Sequence, residues 1–570
     1  MIEWVINPTD EETVSLLSSS LQIDDVQARL LVNRGISTRE EAERFLEPSP
    51  EQLYDPFLFA EMDDATRLLQ QAVESGQRIL IHGDYDADGI CGTALLYEAL
   101  FELGADVHFF IPDRAKDGYG LAQRVMERGV EKGLDLVISV DCGSSDQKVI
   151  SYLGSKGVKV IITDHHEIAV RPEGVDAFLN PKLPGESYPF KELAGAGVAF
   201  KLLQGFGLRA GRGLSLERGM DLAALGTLGD YALLVDENRT IASLGMKAIE
   251  SWRRPGLRAL RSESGLPAKG FTARKLCFTL IPRLNSPGRI GSAREVVNLL
   301  VTGEKSLAAS IAHEIEEKNR RRRIHDSSVT EEASYLADVV LKRAEPSALV
   351  FASSTWHEGV VGIGASRLAE KHNIPTVLIA VRGGLGKGSA RSAGVVNIKE
   401  ALERCSEFLI EYGGHREAGG FSIKEEMIPD FQAAFEETVE EMLEGREDEP
   451  SLHIDARMSF GDCDEGFLSF MKRLAPFGPG NHEPLLLVSD LEVLPGTRVV
   501  GDGHLRIAAR DSHGDSKHLI AFSMAAAWVP DRIIGERIDV LAHARSNVYQ
   551  GREEVQLQVR AIRLAQGSLI

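Results

Sequence analysis

Four short apolar runs, separated by stretches with helical patterning, constrain how the first third of this 570-residue chain folds. The runs are residues 78–82, 105–111, 134–140 and 159–162. Strands that alternate with helices at this spacing predict right-handed crossovers and a buried, mostly parallel sheet. Ligands of such sheets bind beyond the carboxyl ends of the strands, so the residues that follow each run are candidates for a functional site.

Acidic and histidine residues follow three of these strands. They occur in residues 82–89 (His-Gly-Asp-Tyr-Asp-Ala-Asp-Gly), at Asp141 and in residues 164–166 (Asp-His-His), and Asp230 comes later. Carboxylates and imidazoles gathered at one edge destabilise each other unless a cation compensates them. Asp and His without thiolates suit Mn²⁺, or Mg²⁺ with fewer protein ligands. Two such ions, about 3.5–4 Å apart, activate water for attack on a phosphoryl group, and Asp141 is best placed to bridge them.

A purely structural explanation stays open for part of this pattern. A single Asp-rich turn, such as residues 84–88, is also typical of a loop or of a helix N-cap. Cys142 follows Asp141, and strand alternation turns its side chain the other way. We therefore expect Cys142 in the core rather than among the ligands.

These motifs resemble those of the DHH phosphoesterase superfamily, and within it the single-strand-specific exonucleases. The resemblance covers about residues 45–570 and rests on residues 82–89, 111–114, 117–121, 193–197, 283–289 and 474–481. The metal ligands that it implies are His82, Asp86 and Asp141 for one ion, and Asp88, Asp141, His165 and Asp230 for the other. It also implies that His166 supports the site or touches the scissile phosphate, while Asp84 and Asp164 orient the ligands.

A second α/β pattern begins at residues 347–351 and continues to about residue 443. Residues 382–392 combine four glycines with Lys387 and Arg391, and glycines let backbone amides approach an anion. Residues 412–421 resemble the Gly-Gly-His motif of the associated DHHA1 domain. A hairpin turn at the first segment and a helix C-cap at residues 413–415 remain alternatives.

The predicted active site combines both α/β regions. The predicted catalytic residues are Asp141, His166, Arg289 and His415. The predicted DNA- or phosphate-binding residues are Arg114, Asn285, Arg289, Lys387, Ser389, Arg391, Gly413, Gly414 and His415. Of these, Arg114, Ser389 and Arg391 are candidates to grip a terminal 5′-phosphate, although a buried arginine can instead pair with a core carboxylate.

Short strands replace the α/β pattern after Pro450 and predict a small OB-like barrel, a fold often used to hold single strands. The predicted strands are residues 483–489, 504–508, 518–521, 538–542 and 555–561. The predicted order is a helical lead-in (1–55), a DHH catalytic domain (56–303), a linking helix (304–343), a DHHA1 clamp domain (344–447) and the OB-fold domain (450–570). The fold class is therefore α/β, with a C-terminal β-barrel.

The charge of −21, taken alone, argues against a nucleic-acid partner. The charge is uneven, however: residues 425–449 are strongly acidic, whereas residues 318–324 form a basic run, which is also typical of a solvated helix face. No apolar run approaches the length of a membrane span, and the first residues do not resemble a signal peptide. Five scattered cysteines fit a reducing cytosol.

The resemblance implies 5′→3′ removal of mononucleotides from single-stranded DNA, in recombination and in mismatch or base-excision repair. Two divalent cations are expected as cofactors, Mn²⁺ first and Mg²⁺ as the alternative. The implied partners are a single-strand-binding protein and a RecQ-type helicase, and we expect a cytoplasmic monomer. A phosphodiesterase for very short RNA or cyclic dinucleotides, a manganese pyrophosphatase and an inactive scaffold are the rival functions; the intact ligand set argues against the scaffold.

Overall fold

The computed structural model describes residues 3–113, 116–211, 216–394, 396–443, 451–549 and 552–565. It contains a parallel five-stranded sheet, a long helix, a second five-stranded sheet and a C-terminal barrel. The predicted fold class is thereby confirmed. No helix among the described residues is long and apolar enough to cross a membrane.

The N-terminal segment is not purely helical, because a strand precedes its helices. The elements are β1 (Glu3–Ile6), α1 (Glu11–Leu21), α2 (Asp25–Val32) and α3 (Arg39–Leu46). Buried side chains of this segment, such as Leu17 and Leu30, share one core with the C-terminal barrel, and β1 pairs in parallel with residues 451–454. The predicted lead-in therefore packs as part of the C-terminal body rather than as an independent unit.

The first sheet is entirely parallel and has the strand order β3-β2-β4-β5-β6. Its elements are α4 (Met62–Glu74), β2 (Arg78–Gly83), α5 (Ala87–Glu102), β3 (Asp106–Phe110), α6 (Gln123–Glu131), β4 (Leu136–Val140), α7 (Gln147–Ser155), β5 (Lys159–Thr163) and β6 (Ala177–Leu179). The central strand β4 reads Leu-Val-Ile-Ser-Val and is buried throughout, as expected for a strand covered on both faces. Strand β6 was not predicted.

A helical region follows the sheet and ends in the long helix that reaches the second body. The helices are α8 (Gly195–Arg209), α9 (Leu216–Gly229), α10 (Asp236–Ile249), α11 (Pro255–Ser264), α12 (Ala273–Ile290), α13 (Arg294–Val301) and α14 (Lys305–Leu341). Helix α14 has 37 residues, which corresponds to a length of about 55 Å. Within its basic run, Lys318 pairs with Glu295 and Arg323 with Glu316, so part of this charge is neutralised within the protein.

The second sheet is mixed, with the order β10-β11-β9-β8-β7 and one parallel pair, β7 with β8. Its body contains β7 (Leu349–Ser353), α15 (Val361–His372), β8 (Thr376–Arg382), β9 (Leu385–Arg391), α16 (Ile398–Arg404), β10 (Leu409–Gly414), β11 (Ala418–Lys424) and α17 (Ile428–Leu443). The acidic run predicted at residues 425–449 falls partly on α17, and its last residues, 444–449, lie outside the described residues.

The C-terminal body is a closed barrel. Its elements are β12 (Ser451–Ile454), β13 (Ala456–Arg457), α18 (Glu465–Leu474), β14 (Leu486–Val493), β15 (Arg498–Val500), β16 (His504–Arg510), β17 (Ser516–Ala521), α19 (Pro530–Ile533), β18 (Arg537–Tyr549) and β19 (Arg552–Leu564). Strand β14 pairs with both β16 and β18, which closes the ring, and β17 pairs in parallel with β19. The five predicted strands correspond to the five that form this ring, and the predicted barrel is confirmed.

Candidate metal centre

Acidic and histidine side chains converge at the carboxyl ends of β2, β4 and β5. Ligand atoms that lie within 4.8 Å of one another fall into three overlapping groups. The groups are Asp84, Asp86 and Asp141; Asp88, His165 and Asp230; and Asp141, His165 and His166. Six of these seven residues follow strand ends, and Asp230 reaches the same place from the end of α9.

His165 belongs to two of the three groups, and its ring lies among three carboxylates. Its Nε2 atom lies 3.0 Å from Asp141 Oδ1 and 3.8 Å from Asp88 Oδ2, and its Nδ1 atom lies 3.8 Å from Asp230 Oδ2. Within the described part of the chain, His165 Nε2 and Asp141 Oδ1 are buried and, although only 3.0 Å apart, form no hydrogen bond with each other or with another atom. Buried polar atoms are normally satisfied, so these two atoms fit the coordination of a cation.

The pKa values of the buried carboxylates also support a cation site at this edge of the sheet. Burial raises the pKa of Asp88 to about 7, and the charge of Asp230 adds to the shift. Burial also raises the pKa of Asp230 to about 7, with a contribution from Asp86, and raises the pKa of Asp141 well above its usual range. Burial lowers the pKa of His165, which leaves a neutral imidazole. Carboxylate oxygens and neutral imidazole are ligands that Mn²⁺ accepts, so this donor set fits a divalent cation.

Asp88 is held in place by the start of α8. Its two carboxylate oxygens accept hydrogen bonds from Gly195 N at 2.6 Å and from Ala196 N at 2.9 Å. A Cβ atom at Gly195 would lie 2.6 Å from Asp141 Cβ, so only glycine lets the helix approach this closely. The glycine-rich segment 193–197 thus orients Asp88 and leaves room for Asp141.

Asp86 caps a helix and also belongs to a ligand group. Its Oδ1 atom accepts hydrogen bonds from Asp88 N at 2.9 Å and from Gly89 N at 3.2 Å, which caps the N-terminus of α5. The N-cap alternative therefore holds for this residue. Its carboxylate nevertheless also belongs to the group formed with Asp84 and Asp141.

The role of His82 as a metal ligand, which the resemblance implies, stays a prediction. Within the described residues, His82 belongs to none of the three ligand groups. It is still inside β2, its Nε2 atom accepts a hydrogen bond from Ala122 N at 3.1 Å, and its Nδ1 atom lies 3.8 Å from Cys142 Sγ. Burial lowers its pKa to about 4. Asp84, the first residue after the strand, was expected to orient ligands, and its carboxylate lies in one ligand group with Asp86 and Asp141.

Asp164 organises the two histidines that follow it. Its carboxylate accepts hydrogen bonds from Ser144 N at 3.1 Å and His165 N at 2.8 Å, and it lies 2.7 Å from His166 Nδ1. Burial alone would lower the pKa of His166, but the bond to Asp164 outweighs it and raises this pKa to about 9. His166 is therefore charged at neutral pH. A charged imidazole donates hydrogen bonds and does not bind metal, so contact with phosphate suits it better than coordination.

In the second body, alternate residues of β9 face opposite sides of the sheet. Lys387, Ser389 and Arg391 share one face. Gly388 faces the core, where an added Cβ would lie 2.1 Å from the Phe421 ring. This glycine makes room for an aromatic side chain, and the anion-binding role of the segment stays a prediction. Its first two glycines, residues 383 and 384, have φ of 58° and 79° and form the β8–β9 hairpin turn.

The three polar side chains of this face have contacts within the protein. Arg391 donates from Nη1 to Ser389 Oγ at 2.7 Å and from Nε to Ser366 Oγ at 3.0 Å. Lys387 donates to Glu411 Oε1 at 2.9 Å and to Ser422 Oγ at 2.6 Å. The Ser389–Arg391 pair is thus fixed in position, whereas Lys387 is engaged by a carboxylate.

The Gly-Gly-His segment lies in the β10–β11 hairpin, so the helix C-cap alternative is wrong. Gly414 has a φ of 147°, and a Cβ atom there would lie 2.3 Å from Ala418 O. Gly413 faces open space, with no atom within 4 Å of an added Cβ. His415 is largely exposed, but partial burial of its ring lowers its pKa. The charges of Arg391 and His166 add to this shift, whereas those of Glu417 and Glu167 oppose it. His415 is therefore within electrostatic reach of both bodies.

The segment 283–289 connects the two bodies. Arg289 donates from Nη1 to Gly359 O at 3.3 Å, across the junction. Asn285 Oδ1 accepts a hydrogen bond from Ala87 N at 2.6 Å, so this oxygen supports the start of α5 and is not directed at a substrate. Arg114, the remaining predicted phosphate ligand, lies outside the described residues.

Sequence reasoning missed two residues beside the DHH motif. The Tyr119 hydroxyl lies 3.2 Å from His166 Nδ1, and Asn180 donates from Nδ2 to His166 O at 2.9 Å. Tyr119 lies within segment 117–121, which was noted only for its resemblance. Asn180 follows the unpredicted strand β6, and prediction of that strand would have placed it at the same sheet edge.

Together, the fold and the site define a metal-dependent phosphoesterase of the DHH class. Comparison with family models supports this class domain by domain. Residues 78–227 match the DHH family N-terminal domain, residues 345–441 match the DHHA1 domain, and residues 454–561 match the RecJ OB domain.

Curated relatives identify the family more narrowly. The chain is 35% identical over 564 residues to the single-stranded-DNA-specific exonuclease RecJ of Bacillus subtilis, covering 98% of this chain and 70% of the relative. It is 32% identical over 551 residues to RecJ of Dickeya dadantii, covering 93% and 94% of the two chains. The protein belongs to the RecJ family.

Solved structures agree with this assignment. The crystal structure of Thermus thermophilus RecJ in complex with Mn²⁺ superposes with a TM-score of 0.84 at 29% identity, covering 99% of this chain and 80% of that chain. A structure of exonuclease RecJ bound to manganese gives a TM-score of 0.59 at 35% identity, covering 70% of this chain and 98% of that chain.

Proposed function

We propose that this protein is an exonuclease specific for single-stranded DNA, which it degrades in the 5′→3′ direction by metal-assisted hydrolysis. The observation that carries the proposal is the convergence of five carboxylates and His165 at one sheet edge. The names of the RecJ relatives support the substrate. The direction rests on the resemblance and on the Ser389–Arg391 pair, which suits a terminal phosphate.

Two divalent cations fit the three ligand groups. Asp84, Asp86 and Asp141 would hold one ion, and Asp88, His165 and Asp230 the other. The resemblance implies that Asp141, which lies 3.0 Å from His165, contributes to both ions. When bound, such ions lower the pKa of a water molecule and offset the charge of a phosphodiester. Mn²⁺ is the first candidate because the set mixes carboxylate and imidazole, and Mg²⁺ is the alternative.

The charged His166 is placed to interact with the scissile phosphate. Its Nδ1 atom is fixed by Asp164 and lies 3.9 Å from Asp141 Oδ1, so the ring stands at the edge of the ligand groups. As a fixed donor it can stabilise negative charge that develops on the phosphate during attack. Arg289 and His415, which lie at and beyond the junction of the two bodies, are candidates for the same role.

The second body would hold the 5′ end. Ser389 and Arg391 lie on the same face of the sheet as Gly413, whose missing side chain leaves open space next to them. A guanidinium held by two hydroxyl groups is preorganised to bind phosphate. A terminal phosphate bound there would direct the first internal phosphodiester towards the metal centre, which accounts for release of mononucleotides.

The barrel would hold the rest of the strand. Arg498 and Arg506 lie directly opposite each other on β15 and β16, an arrangement that repels unless an anion lies between or beside the two charges. Phe522 is half exposed at the end of β17 and contacts His504 edge to face at 5.0 Å. Basic side chains beside an exposed ring are typical of surfaces that bind single strands without sequence preference. Trp528, in contrast, packs against the core.

The cellular role follows from this substrate. We infer a part in recombination and in mismatch or base-excision repair, where single strands must be removed from a 5′ end. A helicase of the RecQ type and a single-strand-binding protein are the implied partners, since one generates such strands and the other covers them. The five cysteines are all free in the described structure, which supports a reducing compartment such as the cytoplasm.

The test is digestion of single-stranded DNA labelled at either end, with a 5′-phosphate or a 5′-hydroxyl, in Mn²⁺, Mg²⁺ or chelator. We expect mononucleotides from the 5′ end, faster with the 5′-phosphate, and no product in chelator. The variant Asp141→Ala should lose nearly all activity, whereas Asp106→Ala, an exposed ion-pair residue at the opposite end of the same sheet, should retain it. Release from the 3′ end or indifference to chelator would contradict the proposal.

A further inference from the structure

Residues 474–481, which we call the docking turn, connect the barrel to the catalytic body. The turn lies against the loop between α9 and α10, which begins at Asp230. Leu234 N donates a hydrogen bond to Pro479 O at 2.7 Å, one of the direct backbone contacts between the two bodies. The motif at residues 474–481 is part of the resemblance, but the docking turn contains none of the candidate metal ligands and none of the predicted DNA contacts.

Two glycines allow this close contact. A Cβ atom at Gly478 would lie 2.7 Å from Leu234 Cδ1. A Cβ atom at Gly480 would lie 3.0 Å from Val235 Cγ1, and the φ of 73° at this residue favours glycine independently. The composition of the turn is therefore matched to the surface of the 230–236 loop.

The docking turn is itself fixed from both sides. Asn481 is 1% exposed and donates from Nδ2 to Leu474 O at 2.9 Å and to Pro476 O at 2.8 Å, while its Oδ1 atom accepts from Arg34 Nε at 2.7 Å. From the catalytic body, the buried Arg239 donates to Ala475 O at 3.0 Å. The turn is consequently a rigid support rather than a mobile connection.

The supported loop needs such a contact. Tyr231, the second residue of the loop, and Asp236, the first residue of α10, have φ of 60° and 43°, a region that non-glycine residues rarely adopt without support from their surroundings. Asp230 immediately precedes this strained segment and shares a ligand group with Asp88 and His165. A displacement of the loop would therefore move the Asp230 carboxylate relative to the other two ligands.

We propose that the docking turn positions Asp230, so that the C-terminal body sets the metal affinity of the catalytic centre as well as holding DNA. The inference rests on the proposed metal centre. All candidate ligands lie between residues 82 and 230, so the turn adjusts the affinity of a site that the catalytic body builds. The docking turn acts through the loop and does not touch substrate.

The variant Gly478→Val tests this role, because its side chain must displace Leu234. The matched control is Gly461→Val in the same body, where an added Cβ meets only ordinary contacts, the nearest at 3.5 Å. Mn²⁺ binding to the metal-free full-length chain is measured by calorimetry, and binding of single-stranded DNA is measured in chelator. We expect Gly478→Val to weaken Mn²⁺ binding about 10-fold, as loss of an outer support of a metal ligand does, with unchanged DNA binding.

A second substitution distinguishes a misplaced Asp230 from a general loss of stability. Adding Leu234→Ala to Gly478→Val restores room for the valine and should recover most of the Mn²⁺ affinity. If Gly478→Val does not fold, as judged by its thermal transition, Gly478→Ala replaces it with a smaller displacement. Unchanged Mn²⁺ affinity in Gly478→Val would overturn this inference, and so would weaker DNA binding without a change in metal binding. Neither result would affect the proposed function. A wild-type chain that binds no Mn²⁺ would instead overturn the proposed function.

Discussion

His166 Nδ1 lies 2.7 Å from Asp164 Oδ1, and this contact sets the charge of the imidazole at the edge of the metal centre. Asp164 is buried, while about half of the His166 side chain is exposed. Because burial of the ring is outweighed by the bond to Asp164, the pKa of His166 rises to about 9. An imidazole normally titrates near pH 6.5, so the pair keeps a positive charge beside the candidate ligands over the physiological range.

Asp164→Asn should lower the pKa of His166 towards its ordinary value. The raised pKa means that the contact contributes stability fully below about pH 6.5 and loses it as the pH rises through about 9. In the variant, the fall of kcat/KM on the alkaline side should begin roughly two pH units earlier, near 6.5 to 7. Activity profiles over pH 5.5 to 10 and ring titration by NMR provide the measurement. Asp106→Asn is the control, and an unshifted profile would show that His166 charge is not required.

Metal binding should depend on pH through Asp88 and Asp230. Their pKa values of about 7 mean that the metal-free fold holds more protons than the unfolded chain between about pH 4 and 7, so its stability falls as the pH rises through this window. A divalent cation replaces these protons and adds stability by binding the native state. The Tm increase on addition of Mn²⁺ should therefore be larger at pH 8 than at pH 5.5 and absent in Asp141→Ala. Equal increases at both values would contradict the assignment.

The roles of His82 and Asp84 can be separated by substitution. Asp84→Asn removes one charge from a ligand group and should weaken Mn²⁺ binding by roughly 10- to 100-fold, at least as much as loss of an outer-sphere partner. His82→Gln should lower the thermal stability, because a buried acceptor for Ala122 N is repositioned, while Mn²⁺ affinity stays near the wild-type value. Calorimetric titration of both variants gives the answer. A larger loss of affinity in His82→Gln would restore the ligand set implied by the resemblance.

The surroundings of His82 and Asp84 show how far sequence reasoning reached. The strands, the edge of the sheet and the central position of Asp141 followed from apolar periodicity and from the strand-end rule. The prediction placed His82 within its strand, as the structure does. Which side chains at the strand end come within ligand distance of one another depends on contacts between segments, and periodicity carries no information about those contacts.

Contacts between segments that are distant in the sequence could not be predicted either. The N-terminal helices share a core with a barrel more than 400 residues further along, and nothing in their amphipathic pattern identifies the partner surface. The glycine-rich segment at residues 382–392 shows the same limit. Gly388 packs against Phe421, a residue on another strand, and the sequence of the segment does not reveal this contact.

The same substitution at two glycines of the second body should affect stability at one and substrate binding at the other. Gly388→Ala places a Cβ atom 2.1 Å from the Phe421 ring and should destabilise the protein by about 1–3 kcal/mol, because the buried ring cannot move freely. Gly413→Ala meets no atom within 4 Å and should leave the free energy of unfolding unchanged. If the open space at Gly413 receives the 5′ end, the same methyl group should raise KM for single-stranded DNA with little effect on kcat. Denaturant unfolding and steady-state kinetics measure both effects, and an unaltered KM would exclude this surface from substrate binding.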